Sequence, residues 1–377
     1  MRLSGRTKAI LFTFFGLIFA WTASASAQTT GSLVYSNEID GALIGEAAAL
    51  LPEGEAQLTP AQVIEKWDEF VSNPTPTVRL MGPDSGHWVR WTMSTTEGAQ
   101  SPIVEVATSG FKTLDLYRLD GQSLTHLGRS GRRVAFEERT VPDTHHAFPV
   151  QLTSVPTTYL LRIETAQKIT APIQIKSLEM YQHDLLVRVI VKAAFYGFIL
   201  LMVAYQLAVY FFSREPLLLA YIGVALGYVA MQSELDGTAY ALIYGASVFG
   251  SDTVRAFGLG LAAISWIAFI RVYLQVHKRW PRLFALQQVL AAITLVGALI
   301  GYVLPLTWAN FVALPAASLM MTISYLGAIQ DAWRGHRASQ LFVSSWTPFL
   351  GAALLEVGSL LGGLDVGIDT SVAMMVG

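Results

Sequence analysis

Val187-Arg188-Val189-Ile190-Val191-Lys192-Ala193-Ala194-Phe195-Tyr196-Gly197-Phe198-Ile199-Leu200-Leu201-Met202-Val203-Ala204-Tyr205-Gln206-Leu207-Ala208-Val209-Tyr210-Phe211-Phe212 is apolar almost throughout, with its two charges at the start. About 20 apolar residues carry a helix across the hydrocarbon core of a bilayer, so this stretch reads as a membrane span. Five more follow at Leu217–Gln232, Thr253–Leu274, Leu283–Leu304, Ala309–Ile329 and Leu341–Leu361. Upstream the chemistry changes. Residues 28–183 hold 30 charged side chains, whereas the longer stretch 184–377 holds 19. Over all 377 residues 14% are charged and 53% hydrophobic, against about 25% charged in soluble domains. A fully soluble enzyme is excluded. The formal net charge of −2 gives no basic surface for nucleic acid. The absence of cysteine excludes disulfides, thiolate nucleophiles and cysteine-ligated metal centres.

The turns between spans set the topology. Arg214 follows the first span, Lys278, Arg279 and Arg282 the third, and Arg334 and Arg337 the fifth. The loops after the second, fourth and sixth spans carry no Lys or Arg. By the positive-inside rule the segment before the first span is exported. Arg188, Lys192 and Arg255 sit near the outer ends of their helices, where they can snorkel. After the sixth span, Ser371–Gly377 opens another apolar stretch, read here as the start of a truncated seventh span. A six-span chain with an apolar tail is the other reading.

Residues 1–27 look like a signal peptide. Arg2, Arg6 and Lys8 precede the apolar run Ala9–Trp21, and Ala25-Ser26-Ala27 supplies the small residues of a cleavage site. An uncleaved anchor would look similar. Residues 28–183 form the exported domain, and 184–377 the membrane domain. Residues 28–58 read as an extended lead-in. Thr59-Pro60-Ala61-Gln62 then has the chemistry of a capping box with proline in the first turn, which predicts a helix to about Phe70. Beyond Pro76 apolar residues alternate. In His87–Met93, Trp88, Arg90 and Thr92 share one face and Val89, Trp91 and Met93 the other. Ile103–Thr108, Thr113–Leu119, Arg133–Glu137, Ala147–Leu152, Thr158–Glu164 and Ile173–Tyr181 repeat the pattern, with Asp120-Gly121 as a hairpin signal. The expected fold is an exported all-β jelly-roll sandwich followed by an all-α polytopic bundle, with six complete spans and a seventh truncated.

The chain resembles the bacterial seven-transmembrane receptors with diverse intracellular signalling modules. In the exported part the resemblance rests on His87-Trp88-Val89-Arg90-Trp91, Leu114-Asp115-Leu116-Tyr117, Gly131 to Arg139, Phe148-Pro149 and Tyr159-Leu160-Leu161-Arg162. In the membrane part it rests on Phe195-Tyr196-Gly197, Tyr205-Gln206, Tyr221, Asp236-Gly237-Thr238-Ala239-Tyr240 and Phe269-Ile270-Arg271-Val272-Tyr273-Leu274. The family often has Gly-Asp and Pro-Phe where this chain has Gly131-Arg132 and Ala135-Phe136, and tends to have Asn where Gln206 and Asp236 stand. The resemblance implies a multi-pass receptor of the bacterial inner membrane with a periplasmic sensor domain. That domain would bind a small-molecule or carbohydrate-like ligand. The bundle would drive a cytoplasmic diguanylate cyclase or histidine kinase, neither of which is in these residues. Lipid is the other expected partner, no cofactor is expected, and a homodimer stays open.

The residues themselves offer little chemistry. Trp88, Trp91, Tyr117, Phe136 and Tyr159 can stack on a sugar ring or fill a core. Arg132, Arg133 and Arg139 can hold an acidic ligand, but Glu137 and Glu138 among them favour a solvated loop. His145-His146 lacks the neighbours of a metal site and reads as a solvated pair. The ligand candidates are therefore Trp88, Trp91, Tyr117 and Arg139. Within the membrane Glu356 needs a partner, for which Arg255 and Gln232 are candidates, while Glu234 and Asp236 read as wet helix-end residues. Glu356, Asp236 and Arg255 are the intramembrane polar candidates. Gly258-Leu259-Gly260 and Gly297–Gly301 suit close helix packing. A transporter fed by the exported domain is the alternative function, yet it lacks the repeats and midplane polar groups such proteins show. A membrane enzyme would need a catalytic cluster that the sequence does not display.

Overall fold

The computed structural model describes residues 33–52, 58–80, 85–165, 169–245, 248–300 and 306–360. The expected signal peptide and the start of a seventh span lie outside the described residues.

Among the described residues twelve strands build the N-terminal part: β1 Leu33–Tyr35, β2 Ala49–Pro52, β3 Val71–Ser72, β4 Val78–Leu80, β5 Ser85–Thr95, β6 Ile103–Val106, β7 Thr113–Asp120, β8 Ser123–Ser130, β9 His146–Pro149, β10 Thr157–Thr165, β11 Ile169–Ala171 and β12 Ile173–Lys176. The larger sheet runs β3-β2-β5-β10-β7-β8, with β1 parallel to β5; β12-β6-β9 and β11-β4 form the smaller sheets. One apolar cluster joins all three sheets, so they pack as a sandwich. Val89, Trp91 and Met93 meet Leu114, Leu116, Tyr159, Leu161, Val104, Phe148, Ile173 and Val78 there. The opposite face of β5 carries Trp88, which joins Leu160, Leu51 and Val63 in a second cluster. Val63 belongs to α1 (Pro60–Glu65), where Thr59 and Gln62 complete the expected capping box. This helix ends earlier than expected, in a 3-10 turn at Trp67–Glu69.

Several expectations for the β-domain change. Arg133–Glu137 is no strand: Gly131, at φ +124°, turns the chain where a Cβ would lie 2.4 Å from the Lys112 carbonyl oxygen, and a 3-10 turn follows at Phe136–Glu138. The last strand stops at Lys176, and Tyr181 lies in a helix. The lead-in is broken by two 3-10 turns rather than extended throughout.

The helical part comprises α2 Leu178–Ser213, α3 Pro216–Leu235, a π-helical turn Tyr240–Tyr244, α4 Val248–Tyr273, the short α5 Val276–Arg279, α6 Pro281–Ile300, α7 Leu306–Trp333 and α8 Arg337–Leu360. Among the described residues five helices are long and apolar enough to cross a membrane; the sixth expected span falls on α8. The bundle core gathers Trp266, Phe269 and Ile270 of α4, Leu290 of α6, Met320 of α7 and Phe342 of α8. Three polar side chains meet inside it. Trp266 Nε1 and Gln287 Nε2 donate to Ser324 Oγ over 3.1 and 2.7 Å. Glycines let the helices touch: a Cβ on Gly227 would meet the Ala262 backbone nitrogen at 2.7 Å, and one on Gly258 would lie 3.0 Å from Ala230 Cβ.

No loop separates sandwich from bundle. β12 ends at Lys176, and Ser177 caps α2 by accepting from the Met180 N–H. Ser177 also donates its own N–H and O–H to the Asp40 carboxylate, both at 2.6 Å. With 36 residues, α2 is about 54 Å long, far more than the roughly 30 Å hydrocarbon core. Its first turns therefore stand clear of the bilayer, among polar groups of the β-domain.

Candidate functional site at the domain junction

Sheet β12-β6-β9 presents Glu105 and Lys176 to those first turns of α2. Glu105 is wholly buried, so its charge must be matched. Its Oε1 receives His145 Nδ1 and Arg188 Nη1, each at 2.8 Å, and its Oε2 receives Lys176 Nζ at 2.7 Å. Arg188 belongs to α2 and also reaches Asp143 Oδ2 at 2.7 Å, which accepts the Tyr181 hydroxyl at 2.8 Å as well. Lys176 also pairs with Asp184 of α2 at 2.7 Å. Burial pushes the Glu105 carboxyl upward, but the His145 hydrogen bond and the His145, Arg188 and Lys176 charges outweigh it. The net effect holds Glu105 well below the usual carboxylate range.

A second set of contacts ties the β-domain to the end of α3. Arg132 Nη1 meets Glu234 Oε1 at 2.6 Å, its Nη2 reaches the Glu234 carbonyl oxygen at 2.7 Å, and its Nε reaches that of Ser109 at 2.8 Å. The Ser109 hydroxyl donates to the Leu235 carbonyl at 2.5 Å. Tyr240 donates to the Val134 carbonyl, and Tyr244 to Glu234. Between the two sets, Lys192 of α2 bridges Thr144 Oγ1 (3.0 Å) and the Asp236 carbonyl (2.9 Å), while the Tyr196 hydroxyl donates to Asp236 Oδ2 at 2.7 Å. The β-domain thus grips α2 with one hand and the end of α3 with the other.

This geometry reassigns most of the expected site. Trp88 and Trp91 are fully buried: α1 covers Trp88, and Trp91 stacks on Tyr159 inside the main core. Tyr117 stays half-buried, its ring 5.3 Å from Trp88 and 5.1 Å from His126. Arg139 is buried and donates to the Asp143 and Gly131 carbonyls at 2.6 and 2.9 Å while lying over the Tyr240 ring, so it shapes the 131–143 loop. Arg132, Glu234 and Asp236 are junction residues rather than solvated ones; Glu234 is 1% exposed and Asp236 3%. Arg188 and Lys192 are held by the β-domain and do not snorkel. The two histidines are buried as well. His145 pairs with Glu105, whereas His146 turns the other way, its Nδ1 at 2.9 Å from Ser130 Oγ. Burial, with the Arg139 and His145 charges nearby, holds the His146 pKa well below its ordinary value. No group of metal-ligating side chains occurs among the described residues. Arg255 and Glu356 lie on α4 and α8, and their side chains are outside the description. The chain sequence carried one clue to the junction: charges packed into the first turns of a membrane helix and the last turn of the next.

A β-sandwich fastened by buried ion pairs to a multi-pass helical bundle is the architecture of a membrane receptor with a soluble sensory part. Comparison with known families agrees. The family described as 7TM diverse intracellular signalling matches residues 188–377, and 7TMR-DISM extracellular 2 matches residues 45–177. The chain belongs to this family of membrane sensory receptors. No curated protein matches it.

Proposed function

We propose that the chain is an inner-membrane receptor whose β-domain lies in the periplasm and binds a small-molecule or carbohydrate-like ligand. The bundle relays that event to a cytoplasmic output module of the diguanylate cyclase or histidine kinase type. The observation that carries this reading is the two-handed junction. A ligand shifts a two-state bundle only if it binds the two states with different affinity. A β-domain holding two separate helix ends supplies that difference, because any change in the sandwich that alters one grip relative to the other moves α2 against α3. The distribution of Lys and Arg among the loops supports the orientation. Half-buried Tyr117 remains the aromatic candidate for ligand contact.

Alkaline phosphatase fused after Asp236 should be active and fused after Arg282 silent; the reverse pattern overturns the orientation. In the complete receptor, Arg132→Met should change basal output while the β-domain stays folded. Unchanged output would remove the junction from the signalling path.

A further inference from the structure

At α2 the buried carboxylates Glu105 and Asp143 face Lys176 and Arg188, and Lys176 also meets the partly exposed Asp184. The imidazole of His145 lies 2.8 Å from Glu105, on the oxygen that Arg188 also uses. With His145 neutral the buried charges balance; protonated, it adds a cation beside Arg188. We propose that His145 is a proton-binding site that sets how tightly the β-domain grips α2, making proton activity on the β-domain side of the membrane an input to the receptor. This rests on the junction being the transmission path.

The surrounding groups leave His145 the side chain that can change charge in the set near neutrality. Its neighbour His146 points away, to Ser130. Arg139 is committed to the Asp143 and Gly131 carbonyls, and Arg132 to Glu234. Lys192 holds Thr144 Oγ1 and the Asp236 carbonyl. His183, on α2, stands 3.6 Å from Asp184 but is largely exposed, where water screens its charge. Arg188 keeps its charge through neutrality by its chemistry, and histidine is the side chain that ordinarily titrates there. The depressed Glu105 carboxyl remains ionised over the same range, so a proton arriving at His145 always meets a carboxylate. Charge pairs out of water interact far more strongly than pairs in water, so gaining or losing this one is felt at the helix. Acid loosens the grip on Arg188, because a protonated His145 is a second cation on the Glu105 oxygen that Arg188 uses, and alkali tightens it.

The chain lacks cysteine, so single cysteines can be placed without background. Spin labels at Ser123→Cys, on exposed β8, and Ser213→Cys, at the far end of α2, report the β-domain against the helix. Full-length chain in lipid nanodiscs should give a distance distribution that broadens from about pH 8 to about pH 5.5, with a one-proton midpoint between. His145→Gln and His145→Asn keep a hydrogen-bond donor but cannot titrate, and both should lose the broadening; His183→Gln should keep it. A pH-independent wild type, or variants at 145 that broaden in acid like it, overturns the proposal. Arg188→Met separates this from the underlying reading. If it broadens the distribution at every pH while the 145 variants still broaden in acid, the junction stands and the proton site falls. If it changes nothing, the junction reading itself falls. Circular dichroism on the same samples confirms that each variant is folded.

Discussion

Glu105→Gln is the sharpest perturbation of the junction. The amide keeps the shape and one acceptor oxygen but removes the charge that His145, Lys176 and Arg188 share. Stripping one partner from a buried ion cluster costs about 3–5 kcal/mol, because the remaining charges stay buried. Here the lower end applies. Lys176 keeps Asp184 and Arg188 keeps Asp143, so neither cation is left alone. About 3 kcal/mol corresponds to a melting shift of roughly 6–12 °C for a domain of about 150 residues. The assay is proteolytic melting of the β-domain in nanodisc-embedded full-length chain, for Glu105→Gln, Arg188→Met and the double variant. The cycle should be non-additive by at least about 1 kcal/mol, since the two groups touch. The pH dependence has a defined sign. The Glu105 carboxyl is depressed in the folded state, so its contribution is complete above the unfolded carboxylate pKa of about 4.3. It disappears as the pH falls below that toward the folded value. A shift under about 2 °C, or strict additivity, would show that the ion cluster does not hold the β-domain to α2.

Residues 28–183 expressed alone should give a soluble domain with a β-rich far-ultraviolet spectrum; a helix-dominated spectrum or a detergent requirement refutes this. His146 is buried with a depressed pKa, so the unfolded state binds more protons as the pH drops below about 6.5, and stability falls there. His146→Asn keeps the Ser130 partner and should lose less stability than wild type between about pH 7.5 and 5.5, which melting curves at the two values check. Gly227→Val places its Cβ against the Ala262 backbone nitrogen, 2.7 Å away. It should destabilise the bundle by about 1–3 kcal/mol, read as a lower melting point in mild detergent. Glu356→Gln in the complete receptor should change basal output, and output equal to wild type would assign that residue a purely structural part.

Much of the sandwich was legible because successive side chains of its strands go to two different packed faces. The alternation in β5 separates Val89, Trp91 and Met93 from Trp88, as the two apolar clusters do. β8 was not legible: Ser123–Ser130 is an edge strand with exposed positions on both faces, and only its pairing with β7 makes it a strand. Arg133–Glu137 alternates well enough for a strand, but Gly131 and the contacts around it decide otherwise. The junction was hidden for a different reason. Arg132 and Glu234 lie far apart in the chain, and a charge at a helix end looks wet unless one knows that a folded domain rests on it. Arg139 and the His145-His146 pair read as solvated for the same reason.

The unbroken helix from Ser177 to Ser213 makes the junction a fulcrum. Held by Arg188 and Lys192, with about 32 Å of helix beyond Lys192, the rod converts a tilt of about 5° into a displacement of about 3 Å at its far tip. Displacements of a fraction of an ångström among the side chains at the fulcrum are thereby geared up to the width of a side chain at the opposite membrane face.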